Sequence, residues 1–141
     1  MQLIPIGTGL WGVYAIVDET DACNVIECLI DLEAGNKQEA GLAKRMRRRL
    51  EMEIPHRLRG PNYQNNQISR FLRDNIYEFK RDQNRGPGLR VLWFFGRKKE
   101  VICTTAFLKT DKTPQNEIDN AVVLREQYFI DLDAGRIEII V

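Results

Sequence analysis

The 141-residue chain has a single histidine, His56, and three cysteines, Cys23, Cys28 and Cys103. With one histidine there is no Cys/His pairing of the kind a zinc site or a thiol protease uses. Cys23 and Cys28 stand five apart, about 140° around a helix, so they would not face one ligand together. The cysteines are expected to be buried free thiols in a reducing compartment. There is no GxSxG, P-loop or GxGxxG, and no carboxylate cluster suited to a two-metal nuclease. Neither a metal nor a cofactor is expected. No apolar run approaches the roughly 20 residues that cross a bilayer. The start, "MQLIPIGTGLWGVYAIVDE", lacks a basic segment followed by an apolar block, so the cytoplasm is the expected location and no membrane partner is expected.

What is present is a soluble-type composition, 43% hydrophobic and 29% charged, over a length suited to one domain, residues 1–141. The net charge of +1 hides a strong asymmetry. Residues 44–112 carry 18 basic and seven acidic side chains, whereas residues 1–43 carry one basic and seven acidic, and residues 113–141 two basic and six acidic. A basic middle between acidic ends suits an anionic partner, unless the ends fold back and neutralise it.

The pattern along the chain predicts a first strand in "GTGLWGVYAIVDE", with Val13, Ala15 and Val17 alternating against Tyr14 and Ile16. A short helix follows in "TDACNVIECLIDLEAG", with Thr20 or Asp21 as cap and Gly35 as terminator. A second helix covers "NKQEAGLAKRMRRRLEME", with Asn36 and Glu39 in capping-box spacing and Leu42, Met46 and Leu50 as its buried stripe, ending at Pro55. Residues 55–75 are polar and irregular, apart from a turn around Ile68, Phe71 and Leu72. Three strands then come in succession at 75–81, 89–95 and 100–109, joined by hairpin-like "DQNRGPG" and "GRKK". A third helix starts at Thr113 as cap with Pro114 at its first position, its apolar face being Ile118, Ala121, Val122 and Phe129. "GRIEIIV", 136–141, allows one more strand. The expected fold is α+β: a small antiparallel sheet in the order β-α-α-β-β-β-α, with helices packed on one face and the other open for binding.

In the meander Arg90 shares a face with Leu92 and Phe94, and Lys80 with Ile76 and Glu78. A cation amid apolar positions needs a rim, a partner or a cleft. Meander geometry brings Lys80, Arg81, Arg90, Lys109 and Lys112 towards one end of the sheet, the cationic grouping that phosphate requires. Without a metal or a histidine base, phosphodiester cleavage is open to RNA, whose 2′-OH is an internal nucleophile. The protein then has to orient the strand, neutralise transition-state charge and move protons. A lysine crowded by other cations has a lowered pKa and suits proton transfer.

These residues carry a resemblance. "IYEFK" (76–80), "LRVLWFF" (89–95) and "AFLKTDKTPQNEIDNAVVLREQYF" (106–129), after the two-helix start "NVIECLIDL…RMRRRLE", resemble the RelE/HigB superfamily of toxins from toxin–antitoxin modules, most closely its phage-derived, HigB-like branch. The likeness spans roughly residues 12–130. It implies a RelE-like fold and a metal-independent, ribosome-dependent endoribonuclease that cuts mRNA, with a helix-turn-helix antitoxin encoded by a neighbouring gene as partner. It implies catalytic roles for Arg90, Lys80, Lys109 and Lys112. The chain departs from the branch pattern at Thr110, where a second lysine usually stands, and at Thr105-Ala106, which leaves the proton-transfer residue unassigned.

Each of these residues also has a structural reading: an ion pair for Arg90 or Lys80, a solvated turn for Lys109 and Lys112. Arg81 is a candidate RNA contact, and Arg45, Arg48 and Arg49 form either a solvated helix face or a contact to ribosomal RNA or an acidic antitoxin segment. Trp93, Phe94 and Phe95 are expected in the core. Tyr63, Tyr77 and Tyr128 are candidate proton carriers, with burial of a hydrogen-bonded hydroxyl as the simpler role. The second functional class is a non-catalytic RNA- or protein-binding module of the same fold from a phage or mobile element.

Overall fold

A computed structural model describes residues 1–58 and 69–141. The elements run β1 (Gln2–Gly7), β2 (Gly12–Val17), α1 (Asn24–Glu33), α2 (Lys37–Arg48), a π-helical turn (Arg49–Glu53), α3 (Ile54–Arg57), β3 (Ser69–Arg73), β4 (Ile76–Arg81), β5 (Gly88–Phe95), β6 (Glu100–Lys109), α4 (Gln115–Asp133) and β7 (Glu138–Ile139). The three-stranded meander is present, but it forms only part of one seven-stranded sheet in the order β3-β4-β5-β6-β2-β1-β7. The sheet is mixed and not small: β2 runs parallel to β6 and β7 parallel to β1, while the other pairs are antiparallel.

Helices cover both faces, not one. α1 and α2 pack on the face carrying Val13, Ala15, Phe79, Leu89, Val91 and Trp93. α4 packs on the face carrying Leu3, Ile16, Ile76, Leu92, Phe94 and Ile102. The reason lies in β5, where apolar side chains occupy both parities, so each face needs a cover. The resulting core buries Trp93 and Phe94, with Phe95 half-buried at its margin.

The ends of the helices differ in detail from the sequence reading. Asn36 and Glu39 do form the reciprocal capping box, and Leu42, Met46 and Leu50 are fully buried. Cys23, with no side-chain cap bond, precedes α1, because the Asp18 carboxylate takes the Thr20 and Ala22 amides into a turn. Pro55 does not stop the second helix. A π turn intervenes and the chain stays helical to Arg57, with Pro55 in the first turn of α3, where a missing N–H is tolerated. The carbonyl of Leu50, in that π turn, lies so near β1 that a Cβ on Gly7 would sit 2.5 Å from it, which fixes glycine there. Ahead of α4 the cap position falls to Pro114, and Thr113 uses its hydroxyl elsewhere.

Candidate phosphate site

The site begins with a strand irregularity. Along β5 the side chains of Arg90, Leu92 and Phe94 fall on the α4 face. In β6 the register slips by one residue, since Trp93 pairs with Cys103 but Leu92 pairs with Thr105. That bulge inverts the parity of the rest of β6. Ile102 before it and Phe107 after it both lie on the α4 face, and so does Lys109, which pairs with Gly88. Lys80 pairs directly with Arg90. Three of the sequence-predicted cations, Lys80, Arg90 and Lys109, therefore share one face at one end of the sheet.

At their centre stands Glu78, which the sequence places on the same strand face as Lys80 without marking it as part of a site. Its side chain is 1% exposed. One carboxylate oxygen, Oε2, accepts a 2.6 Å hydrogen bond from the Thr113 hydroxyl. The other, Oε1, lies 3.4 Å from Arg70 Nε, 3.7 Å from Arg90 Nε and 3.9 Å from Lys109 Nζ, and accepts no hydrogen bond among the described residues. Thr113 also accepts a long 3.4 Å contact from Lys109 Nζ. Alternation along β4, which puts Glu78 on the buried α4 face beside Ile76, was the available signal: a carboxylate at a buried strand position needs cations around it.

Arg90 is also buried and has a second carboxylate. Its Nη1 donates to Asp82 Oδ1 at 2.8 Å, across the hairpin between β4 and β5. This crossing requires Gly88: a Cβ there would lie 2.2 Å from Asp82 Oδ1 and 2.7 Å from Arg90 Nη1. Asp82 itself is well exposed, with a side chain 58% accessible. Arg70 and Lys112 are exposed at the rim. Lys112 lies with Arg70, Arg73, Thr113 and Gln115 along a groove of about 500 Å³. Among the described residues neither Lys80 nor Lys112 makes an ion pair, whereas Arg73 is held by Asp74 and Asp119. Five cations thus face two carboxylates.

Burial pulls the Lys109 ammonium below the ordinary lysine range. Glu78 opposes this, and Arg90 and Arg70 reinforce it.

The remaining candidates lie elsewhere. Arg81 falls on the opposite face from Arg90, 3.6 Å from Glu53. Arg49 is not a solvated contact: it is buried, donating to the Lys80 carbonyl at 2.5 Å and approaching Glu53 at 3.5 Å. Because α2 packs against β4 and β5, the register that buries Met46 and Leu50 also brings Arg49 inward. Arg45 and Arg48, with Lys44, stay exposed on α2. Tyr128 is fully buried at the far end, its hydroxyl receiving the Arg97 amide and donating to Glu100. Tyr77 stacks on Trp93, and Tyr63 and Ile68 lie outside the described residues. Cys23 and Cys103 are buried free thiols, whereas Cys28 is only half-buried, and burial raises all three pKa values. The acidic ends do not blanket the basic middle. Among the described residues only two ion pairs, Arg47–Glu33 and Arg73–Asp119, join residues 44–112 to either end.

No helix among the described residues is long and apolar enough to cross a membrane. No curated protein matches the chain. Residues 31–126 match the sequence model of the family described as Phage derived protein Gp49-like (DUF891), a stretch that includes Glu78, Lys80, Arg90, Lys109, Lys112 and Thr113. With well over half its length matched, this chain belongs to the phage-derived Gp49-like family.

Proposed function

We propose that the protein is a toxin of a toxin–antitoxin module, of the HigB/RelE kind that its sequence resembles, and that it cleaves mRNA on the ribosome at the Glu78-centred cluster. The observation that carries this reading is the meeting of Lys80, Arg90 and Lys109 on one face, with the Lys109 ammonium destabilised by burial. In the reaction the RNA 2′-oxygen attacks the adjacent phosphorus and the P–O5′ bond breaks. The products are a 2′,3′-cyclic phosphate and a 5′-hydroxyl. Arg90 and Lys80 neutralise charge on the non-bridging oxygens. Lys109, made a stronger acid by its surroundings, donates its proton to the leaving O5′, and the 2′-OH proton passes to water. Glu78 is too deeply buried to take it. The exposed Lys44, Arg45 and Arg48 supply a salt-sensitive contact to the RNA backbone. A helix-turn-helix protein encoded by the neighbouring gene is the proposed antitoxin, and the cytoplasm the proposed compartment.

Inducible expression should arrest growth and yield cleaved mRNA with 2′,3′-cyclic phosphate ends. Because Lys109 must be protonated to act as acid, cleavage should fall as pH rises through its lowered pKa. Growth arrest without cleavage, or a rate that climbs over that range, would refute this assignment.

The Asp82–Arg90 pair favours a second reading, a non-catalytic RNA-binding module, since it occupies the guanidinium. The two readings diverge at Asp82→Asn. If substrate phosphate displaces an exposed partner, the substitution should strengthen cleavage by up to about 5-fold, the free energy of an ion pair whose carboxylate is open to solvent. A non-catalytic module should bind RNA more tightly and still leave mRNA intact.

A further inference from the structure

We propose that Glu78 is the positioning residue of this site: its buried carboxylate holds Arg90 and Lys109 side by side and ties both, through Thr113, to the start of α4. The inference rests on the reading of the cluster as a phosphate-cleaving site. Glu78 joins four elements, with cations from β3 (Arg70), β5 (Arg90) and β6 (Lys109) and the hydroxyl just ahead of α4. The geometry is unusual for a carboxylate that serves stability alone. A buried acid normally saturates its oxygens, most strongly by a bidentate fork with one arginine. Here Oε1 is shared among three cations at 3.4–3.9 Å and accepts no hydrogen bond, and Arg90 Nε makes none either. A carboxylate forked to Arg90 would neutralise it. One shared at this distance fixes the direction of each cation and leaves their donors able to turn to a second anion. Thr113 extends the arrangement, donating to Glu78 and accepting from Lys109, so a shift of the carboxylate is passed to the ammonium.

The groups facing Lys109 are Glu78 from β4, Arg90 from β5, Arg70 from β3, Asp82 from the hairpin, and the Thr113 hydroxyl. Of these, Glu78 is the larger of the two that favour the ammonium. Removing its charge leaves Arg90 and Arg70 opposed only by Asp82, so the Lys109 proton should be lost at lower pH.

Glu78→Gln tests this, because the amide oxygen still accepts from Thr113 and the volume is kept. The expected result is a kcat lower on the order of 10²-fold, the cost of a misplaced reacting group. KM for RNA should stay the same or fall, since the site gains net positive charge. The alkaline limb of the pH–rate profile should move to lower pH, and Glu78→Asp should bring it back towards its original position. Titration of the Lys109 ammonium by NMR supplies a readout that needs no catalysis, and its midpoint should drop in Glu78→Gln. An unchanged Lys109 midpoint with unchanged kcat would overturn the proposal. A protein that never cleaves RNA but whose Lys109 midpoint drops would refute the ribonuclease reading and sustain the hold of Glu78 on Lys109. Should Glu78→Gln not fold, Thr113→Val removes the hydroxyl link and keeps the carboxylate. Unaltered kcat and unaltered Lys109 titration in that variant would equally overturn the inference.

Discussion

Arg90→Ala should lower mRNA cleavage by about 10²–10³-fold, the usual effect of removing one preorganised group that stabilises transition-state charge. Ribosome or RNA binding should fall far less, because the rim cations and the exposed basic residues of α2 remain. Arg90→Lys should restore only part of the rate, since an ammonium cannot reproduce the paired donors of a guanidinium. The competing role is structural, and Arg90 does pair with Glu78 and Asp82. Breaking a buried ion pair by removing one partner can cost roughly 3–5 kcal/mol when the other is left uncompensated. Here the loss should be well below that range, because Arg70, Lys109 and Thr113 still surround Glu78 and Asp82 turns to solvent. Thermal melting and cleavage measured on one Arg90→Ala sample separate the roles. Full cleavage per folded molecule with a depressed Tm would remove Arg90 from the site and take with it the strongest residue-level support for the ribonuclease reading.

The parts of this fold that can be read from the chain are those with local causes. β4, β5 and β6 follow from alternation and short connectors, and the start of α2 from the Asn36/Glu39 spacing. β1 was hidden by Pro5, which argues against an interior strand. The structure accommodates it because β7 pairs only with Gln2 and Leu3, so that side of Pro5 carries no ladder bond. β3 was hidden by its polar sequence, SRFLR, which suits an edge strand beside an otherwise buried sheet. The second helical layer was legible in principle: β5 has apolar residues on both parities, the mark of a strand covered twice. The site was half legible. Lys80, Arg90 and Lys109 stood out by type, but their common face depends on the β6 bulge, and a one-residue slip leaves no signature in periodicity apart from the polar Thr104-Thr105 inside an apolar strand. Arg49 illustrates the reverse case. It sits in a basic run that reads as solvated, and tertiary packing buries it beside the Lys80 carbonyl.

Trp93→Ala should produce the largest loss of stability, about 3–5 kcal/mol, the range for deleting a buried large aromatic. Trp93 is 1% exposed and lies on the α1/α2 face, with Phe79 stacked on it at 4.6 Å and 10° and Tyr77 at 4.7 Å and 25°. Phe95 meets it edge-on at 4.7 Å. Truncation removes three aromatic contacts, each worth about 0.5–1.5 kcal/mol beyond area burial. It also opens a cavity between the sheet and α2 that rigid strands cannot close. At roughly 3–4 °C per kcal/mol for a chain of this size, Tm should drop by roughly 10–20 °C. Trp93→Phe should cost much less. It keeps a stacking ring and removes an indole N–H that is buried without an acceptor among the described residues, a liability of about 1–3 kcal/mol that offsets part of the lost volume. Because Trp93 points away from Glu78, Arg90 and Lys109, cleavage per folded molecule at low temperature should match the parent protein in both variants. A Trp93→Ala protein with near-parental Tm would mean that the α1/α2 layer does not close on this face, and the two-sided core described above would have to be abandoned.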